Sequence, residues 1–375
     1  MLRSSVEEPA LRHMAIAVAA LRKSQAVHVA VEATGHHRFA VQQYGRALKM
    51  VQAIIAVNRQ NEGVRISLVA SILIFCFENL LGEHEQAVTH VKSALNLMHK
   101  RLSTSAKRYS RLSATRWLPD IDDDVLHIFV RLDNTIMSRL AESHDQPRTS
   151  RLHLHYDHEN FRIPRVFINV TEAKNYLEHI QFRAMPFLSH MPDFFAHGNT
   201  YAPHVNDEEF HTLASGLREF NATFEPMLAR AKEGSYYDFA SAAAVKIMAL
   251  VTDISILRVY YGNGEIPTDA FVSQSRETVD LCRRIVRDPR FKKTFVMDCG
   301  TIPALFVTVM ICRDREIREE AVVLLRESSP RMEVVWDAST IADVCENMMR
   351  AEDQRAKDLL TSQTDARLLL DVSIN

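Results

Sequence analysis

Asp120-Ile121-Asp122-Asp123-Asp124 gathers carboxylates that, on a helix, could hold magnesium against a diphosphate. That chemistry also needs a second metal motif of Asn or Asp, Ser or Thr, and Glu at helical spacing on a facing helix. Asn206-Asp207 has Phe210 where the hydroxyl belongs. The aspartates therefore read as an acidic helix start, where negative charge complements the helix dipole. His153, His155, Asp157 and His158 crowd another polar stretch. Alternating His can bind zinc, but no second set stands at ligand spacing, so the segment reads as a polar loop. His36-His37 reads as exposed and without a partner. Gly262-Asn263-Gly264 follows a helix and lacks the third glycine of a dinucleotide loop, so it reads as a helix end and turn. Neither a G-x-S-x-G elbow nor a Walker loop is present.

Cys76, Cys282, Cys299, Cys312 and Cys345 are scattered with no C-x-x-C, which excludes a short-spaced zinc site and a secreted disulfide framework. Buried, reduced thiols in a cytosolic or nuclear protein are expected. Arg101, Lys107, Arg108, Arg111 and Arg116 lie among many Ser and Thr up to Trp117. Without a dense Lys/Arg run, this stretch reads as a solvated loop more readily than as a nucleic-acid contact or nuclear import signal.

The elements that would position these groups are helices. The chain has 375 residues, 47% hydrophobic and 25% charged, with only 10 Gly and 12 Pro, which suits long helices over turn-rich sheet. A net charge of −2, from 45 basic and 47 acidic residues, supplies no global field for nucleic acid. The most apolar long stretch, Val64 to Leu81, is interrupted by Arg65, Ser67, Ser71, Glu78 and Asn79. It reads as a buried helix rather than a bilayer span, which needs ~20 predominantly apolar residues.

A first helix begins near Pro9, with Leu11, Met14, Val18 and Leu21 in one stripe. Gly35 and His36-His37 break the pattern, and a second helix carries Ala40, Tyr44, Ala47, Val51 and Ile54. The third is stopped by Gly82, and the fourth buries Ala87, Val91, Ala94 and Met98. These four predict two antiparallel hairpins. Further helices are expected from about Asp123 to Leu140, after Thr171, from Asn206 to Lys232, from Tyr236 to Tyr261 and from Thr268 to Val286. Three more cover Pro303–Cys312, Asp314–Glu327 and about Thr340 to Thr361. Arg165 to Val170 is the one apolar run that could form a strand. The fold class is all-α, antiparallel hairpins packed as a tetratricopeptide-like array. The chain is expected to form a single domain over 1–375, with irregular loops near 101–120 and 144–165.

Near the C-terminus, Asp314 is placed to cap a helix, Arg315 and Glu319 form an i,i+4 pair, and Trp336 is an anchor. This region reads as two helices locked at a fixed angle. Cys312-Arg313-Asp314, Arg318-Glu319-Glu320-Ala321, Leu324-Leu325 and Trp336-Asp337, preceded by Gly300-Thr301-Ile302-Pro303-Ala304-Leu305-Phe306, resemble the C-terminal signature of the fungal-specific transcription factor domain. Pro9-Ala10-Leu11-Arg12-His13, Ala19-Ala20-Leu21, His37-Arg38-Phe39-Ala40 with Tyr44, Ala47 and Leu48, Phe77-Glu78 with Gly82 and His90, and Arg131-Leu132-Asp133 fit the same series. The ordered match runs over nearly the whole chain. It departs from the family at Asp314-Arg315, often Asp-Pro there, and before Trp336, where the family often has a basic pair and Glu-Gly.

The family's domain normally follows a six-cysteine binuclear zinc cluster, which five cysteines cannot build. DNA contacts and metal ligands therefore transfer to no residue here. Either an upstream segment carries the cluster, or this is a cluster-less relative. The resemblance implies a non-enzymatic, nuclear regulatory domain with cytoplasm as an alternative location. It would bind proteins of the transcription machinery, a related regulator or a small-molecule effector, with a homodimer compatible. No cofactor, metal, membrane contact or sequence-specific DNA reading is expected. The signature residues Pro303, Cys312, Arg313, Asp314, Arg318, Glu320, Ala321, Trp336 and Asp337 are read as structural. Binding surfaces are expected in the groove of the first four helices and around Arg108. The rival readings are an all-helical enzyme of the terpene cyclase type anchored on Asp122 and Asp123, and a tetratricopeptide-like scaffold unrelated to transcription.

Overall fold

Apolar residues at three- and four-residue spacing, punctuated by prolines, glycines and capping side chains, produce an all-α protein. The structure is a computed structural model and describes residues 8–26, 30–57, 61–109, 125, 128–129, 131–133, 135, 162–188, 207–261, 268–298 and 300–372. The chain divides into two compact units, Met1–Phe161 and Arg162–Asn375.

In the first unit, α1 (Pro9–Ala26) packs on α2 (Ala30–Val57) and α3 (Asn61–Leu81), and α3 packs on α4 (His84–Tyr109). The predicted stripes face inward. Leu11, Met14 and Leu21, Ala40 and Ala47, and Ala87, Val91, Ala94 and Met98 are all buried. Alanines at these positions let backbones approach closely. Gly82 ends α3 at a φ of +96°, a conformation glycine adopts at no steric cost. Two expectations fail. Gly35-His36-His37 does not break a helix but lies inside α2. A single glycine costs only about 1 kcal/mol in a helix interior, which the packed remainder of α2 offsets. Arg101–Tyr109, expected as part of a loop, instead continues α4, and residues 110–117 of that stretch lie outside the described residues.

In the second unit, α7 (Tyr236–Tyr261) is the central rod. It is apolar all round, so neighbours cover it: α5 (Val170–Leu188), α6 (Asp207–Glu233), α8 (Thr268–Val286) and α9 (Ile302–Ile311). α10 (Arg315–Ser328) packs on α8 and α9, and α11 (Ala338–Val372) on α9 and α10. The α7 and α8 boundaries match the expected ones. Arg165–Val170 is not a strand; α5 begins there, capped by Asn169, whose Oδ1 accepts from Glu172 N at 2.8 Å. The expected start at Thr171 missed this cap. α11 runs well past Thr361. A small sheet was not foreseen. β1 (Phe295–Val296) pairs parallel with β2 (Met332–Glu333), which pairs antiparallel with β3 (Trp336–Asp337).

Gly63–Leu81 and Tyr236–Tyr261 are long and apolar enough to cross a membrane by length and composition, with mean hydropathies of 1.9 and 1.7. Of their apolar windows, 61% and 67% are buried within the protein, so helix packing accounts for this hydropathy.

Gly216 offers a direct test of the helix assignment. It lies inside α6, and a Cβ there would meet nothing within 4 Å. Gly216→Ala is expected to stabilise the protein by about 0.5–1 kcal/mol. Thermal unfolding should show a rise in midpoint of about 2 °C.

Candidate functional site

Most of the signature residues lie at or near helix ends, with Glu320 and Ala321 in the middle of α10. Pro303 opens α9, whose first turn has no side-chain cap from Thr301. Glu333, fully buried on β2, supplies it from 31 residues away. Its carboxylate accepts from Gly300 N at 2.8 Å, Ile302 N at 3.1 Å and Thr301 Oγ1 at 2.9 Å. A carboxylate at a helix N-terminus meets both the orphan amides and the positive end of the dipole. Arg331 Nε donates to the same carboxylate at 2.8 Å, its Nη1 donates to Lys292 O at 2.8 Å, and its guanidinium lies over Phe291. Val334, in the two-residue turn after Glu333, has a φ of +58°, unusual for a β-branched residue. Its amide donates to Val296 O at 2.9 Å, so the turn is tied to β1.

Cys312 is buried and closes α9, its amide donating to Thr308 O. Asp314 caps α10, accepting from Ile317 N at 3.0 Å, and Arg276 Nη2 lies 3.6 Å from its Oδ2. Ala321 is buried against its neighbours. Arg313 and Arg318 both reach Glu352 of α11, at 3.6 and 2.7 Å. The shorter contact has ion-pair distance without hydrogen-bond alignment. Trp336 lies against Phe306, ring centroids 5.5 Å apart. Asp337 caps α11, accepting from Thr340 N and Oγ1, both at 2.7 Å. The predicted Arg315–Glu319 pair forms at 2.7 Å. The contacts of Arg313 and Arg318 with Glu352 tie the start of α10 to α11, Trp336 ties β3 to α9, and the other groups cap or brace their own helices.

Glu320 is gripped by Arg283 of α8 through two hydrogen bonds, which hold its carboxyl below the usual range. The depressed value means the pair stabilises above the unfolded carboxylate range and loses that contribution as pH falls through the folded one. Both side chains are about a third exposed, so the expected worth is ~0.2–1 kcal/mol. Urea denaturation of Glu320→Gln should show that deficit at pH 7. The gap to the parent should close as pH falls through the depressed range of the folded Glu320 carboxyl.

In the first unit, residues quoted from the resemblance also meet. Glu78 is buried, accepting from Tyr44 Oη at 2.9 Å and from His90 Nδ1 at 2.8 Å. Tyr44 stacks on Phe77 at 4.1 Å. Burial, reinforced by Glu78, raises the Tyr44 phenol, keeping it protonated as the donor.

Asp120–Asp124, His153–His158, Asn206 and Gly262–Gly264 lie outside the described residues. Among the described residues, no group of three His, Cys, Asp or Glu side chains could hold a metal ion. Burial pushes the Cys76 and Cys345 thiols up to about 12; burial and then the nearby Glu333 charge raise Cys282. Thiols held protonated are poor nucleophiles.

Sequence reasoning missed a basic groove of about 410 Å³ where the end of α6, the start of α7 and the end of α8 converge. Lys232, Tyr236, Phe239, Arg284, Arg287 and Arg290 line it, with Asp288 on the same wall. The signal was the run Arg283, Arg284, Arg287, Arg290, Lys292, Lys293, interrupted by one acid, Asp288. Arg287 is taken up by Glu327 at 2.9 and 3.1 Å, and Arg290 by Asp288 at 2.9 and 2.8 Å. Among the described residues, no carboxylate pairs with Lys232 or Arg284.

No family model, curated protein or solved structure matches this chain.

Proposed function

We propose that this chain is a helical regulatory domain of the fungal-specific transcription factor type, acting in the nucleus through protein or small-effector binding. What supports the reading most is the use made of the signature. From Pro303 to Asp337, the motif residues whose contacts are known sit at helix starts, helix ends and the pairs between helices. A signature that specifies a helical framework, rather than a catalytic constellation, has this distribution. In this reading the paired N-terminal helices stack in a tetratricopeptide-like way, and a homodimer is compatible with it.

The purified chain should give no sequence-selective electrophoretic shift with DNA, since no metal-built reading head belongs to the proposal. Proximity labelling in cells tests the setting. Nuclear regulators of transcription among the labelled proteins are expected. Recovery of cytoplasmic proteins alone would favour a scaffold unrelated to transcription.

A further inference from the structure

We infer that the groove between α6, α7 and α8 binds a small organic anion carrying at least two negative charges, of the phosphate or carboxylate type. The inference rests on the effector-binding reading and names the ligand class of that effector. Four observations converge. The groove holds about 410 Å³, within the range of small-ligand sites. Two of its lining cations, Lys232 and Arg284, lack carboxylate partners among the described residues, whereas Arg287 and Arg290 are already neutralised by Glu327 and Asp288. The guanidinium carbon of Arg284 lies 4.1 Å from the centre of the Phe239 ring, and that of Arg290 lies 4.9 Å from Tyr236. A guanidinium laid on a ring keeps its N–H edge available for a planar or tetrahedral oxyanion. Exposed Lys292 and Lys293 follow directly after the lining segment and add positive potential at its end.

Asp288, the one carboxylate among the lining residues, and nearby Asp238 both have partners. Asp288 is engaged by Arg290, including its backbone amide, and Asp238 accepts from Ser235 N and Oγ at the start of α7. Neither neutralises Lys232 or Arg284. Two free cations in a small concavity match a compact dianion. They do not match a duplex, whose binding rests on several phosphate contacts along an extended surface.

The test is calorimetric titration of the intact chain with inorganic pyrophosphate and, separately, citrate, which distinguish the phosphate from the carboxylate source. At least one should bind, and Lys232→Ser/Arg284→Ser should weaken it about tenfold or more. Lys49→Ser, an exposed lysine on α2, should leave binding unchanged. An unchanged thermal midpoint in the double variant shows that its fold is intact; a lowered midpoint moves the comparison to Arg284→Lys, which keeps charge but loses the fork and should also weaken binding. The inference is overturned if neither probe binds below ~10 mM, if the double variant binds as the parent does, or if duplex DNA binds more tightly than either anion. Anion binding without any effect on transcription would keep this site and sink the regulatory reading; the converse result would sink the site alone.

Discussion

Replacing Glu333 with alanine is expected to cost the 162–375 unit about 3–5 kcal/mol of stability. The carboxylate is fully buried and accepts from two backbone amides, one hydroxyl and one guanidinium. Its removal strips the first turn of α9 of its one side-chain cap among the described residues, since Thr301 offers none. It also leaves Arg331, only 16% exposed, without a counter-charge. A buried donor with no acceptor costs about 1–3 kcal/mol, and an uncompensated buried charge costs more. Glu333→Gln keeps the shape but turns an amide NH₂ toward donors, so it should fall between parent and alanine. Urea denaturation followed by tryptophan fluorescence and by circular dichroism would measure both variants. A loss under about 1 kcal/mol for alanine would mean that the cap does not hold α9.

Phe220→Ala should have a similar effect, about 3–5 kcal/mol, through a different cause. Phe220 and Phe224 stand one turn apart on α6, both with no exposed surface, at centroid distances of 5.4 and 6.4 Å from Phe167. Phe167 in turn meets Tyr176 on α5 at 5.6 Å. Truncation removes the ring's transfer energy and its edge contacts, and leaves a void that rigid neighbours on α5 and α6 cannot close. Phe220→Leu refills much of the space and should cost distinctly less. Thermal and urea unfolding of the two variants side by side would test this. Equal losses for both would show that the site collapses around any side chain.

Local signals were read well from the chain. Pro9, Gly82, Asp314 and the stripe from Leu11 to Leu21 each act within one or two turns, so spacing alone reveals them. Gly35 misled because its backbone cost is small beside the burial of Ala40, Ala47 and Val51 further along α2. Asn169 was passed over in favour of Thr171, two positions on, although both types can cap. Glu333 was illegible as a cap. Nothing in Arg331-Met332-Glu333 says that its partners are Gly300 to Ile302, and the two-residue strands that carry it have no room for a periodic pattern. The groove was half legible. The basic run is plain in the sequence, but the partners Glu320 and Glu327 lie 37 and 40 positions from the arginines they engage. Only folding decides that Arg284 is left over.

The central proposal, that this helical chain carries a transcription-regulating activity, has a direct measurement. The chain is fused to an unrelated DNA-binding domain, and the output of a reporter bearing that domain's site is compared with the domain alone at equal expression. The account predicts a severalfold change in output, of either sign. Output indistinguishable from the unfused domain, with the fusion folded and nuclear, would contradict it.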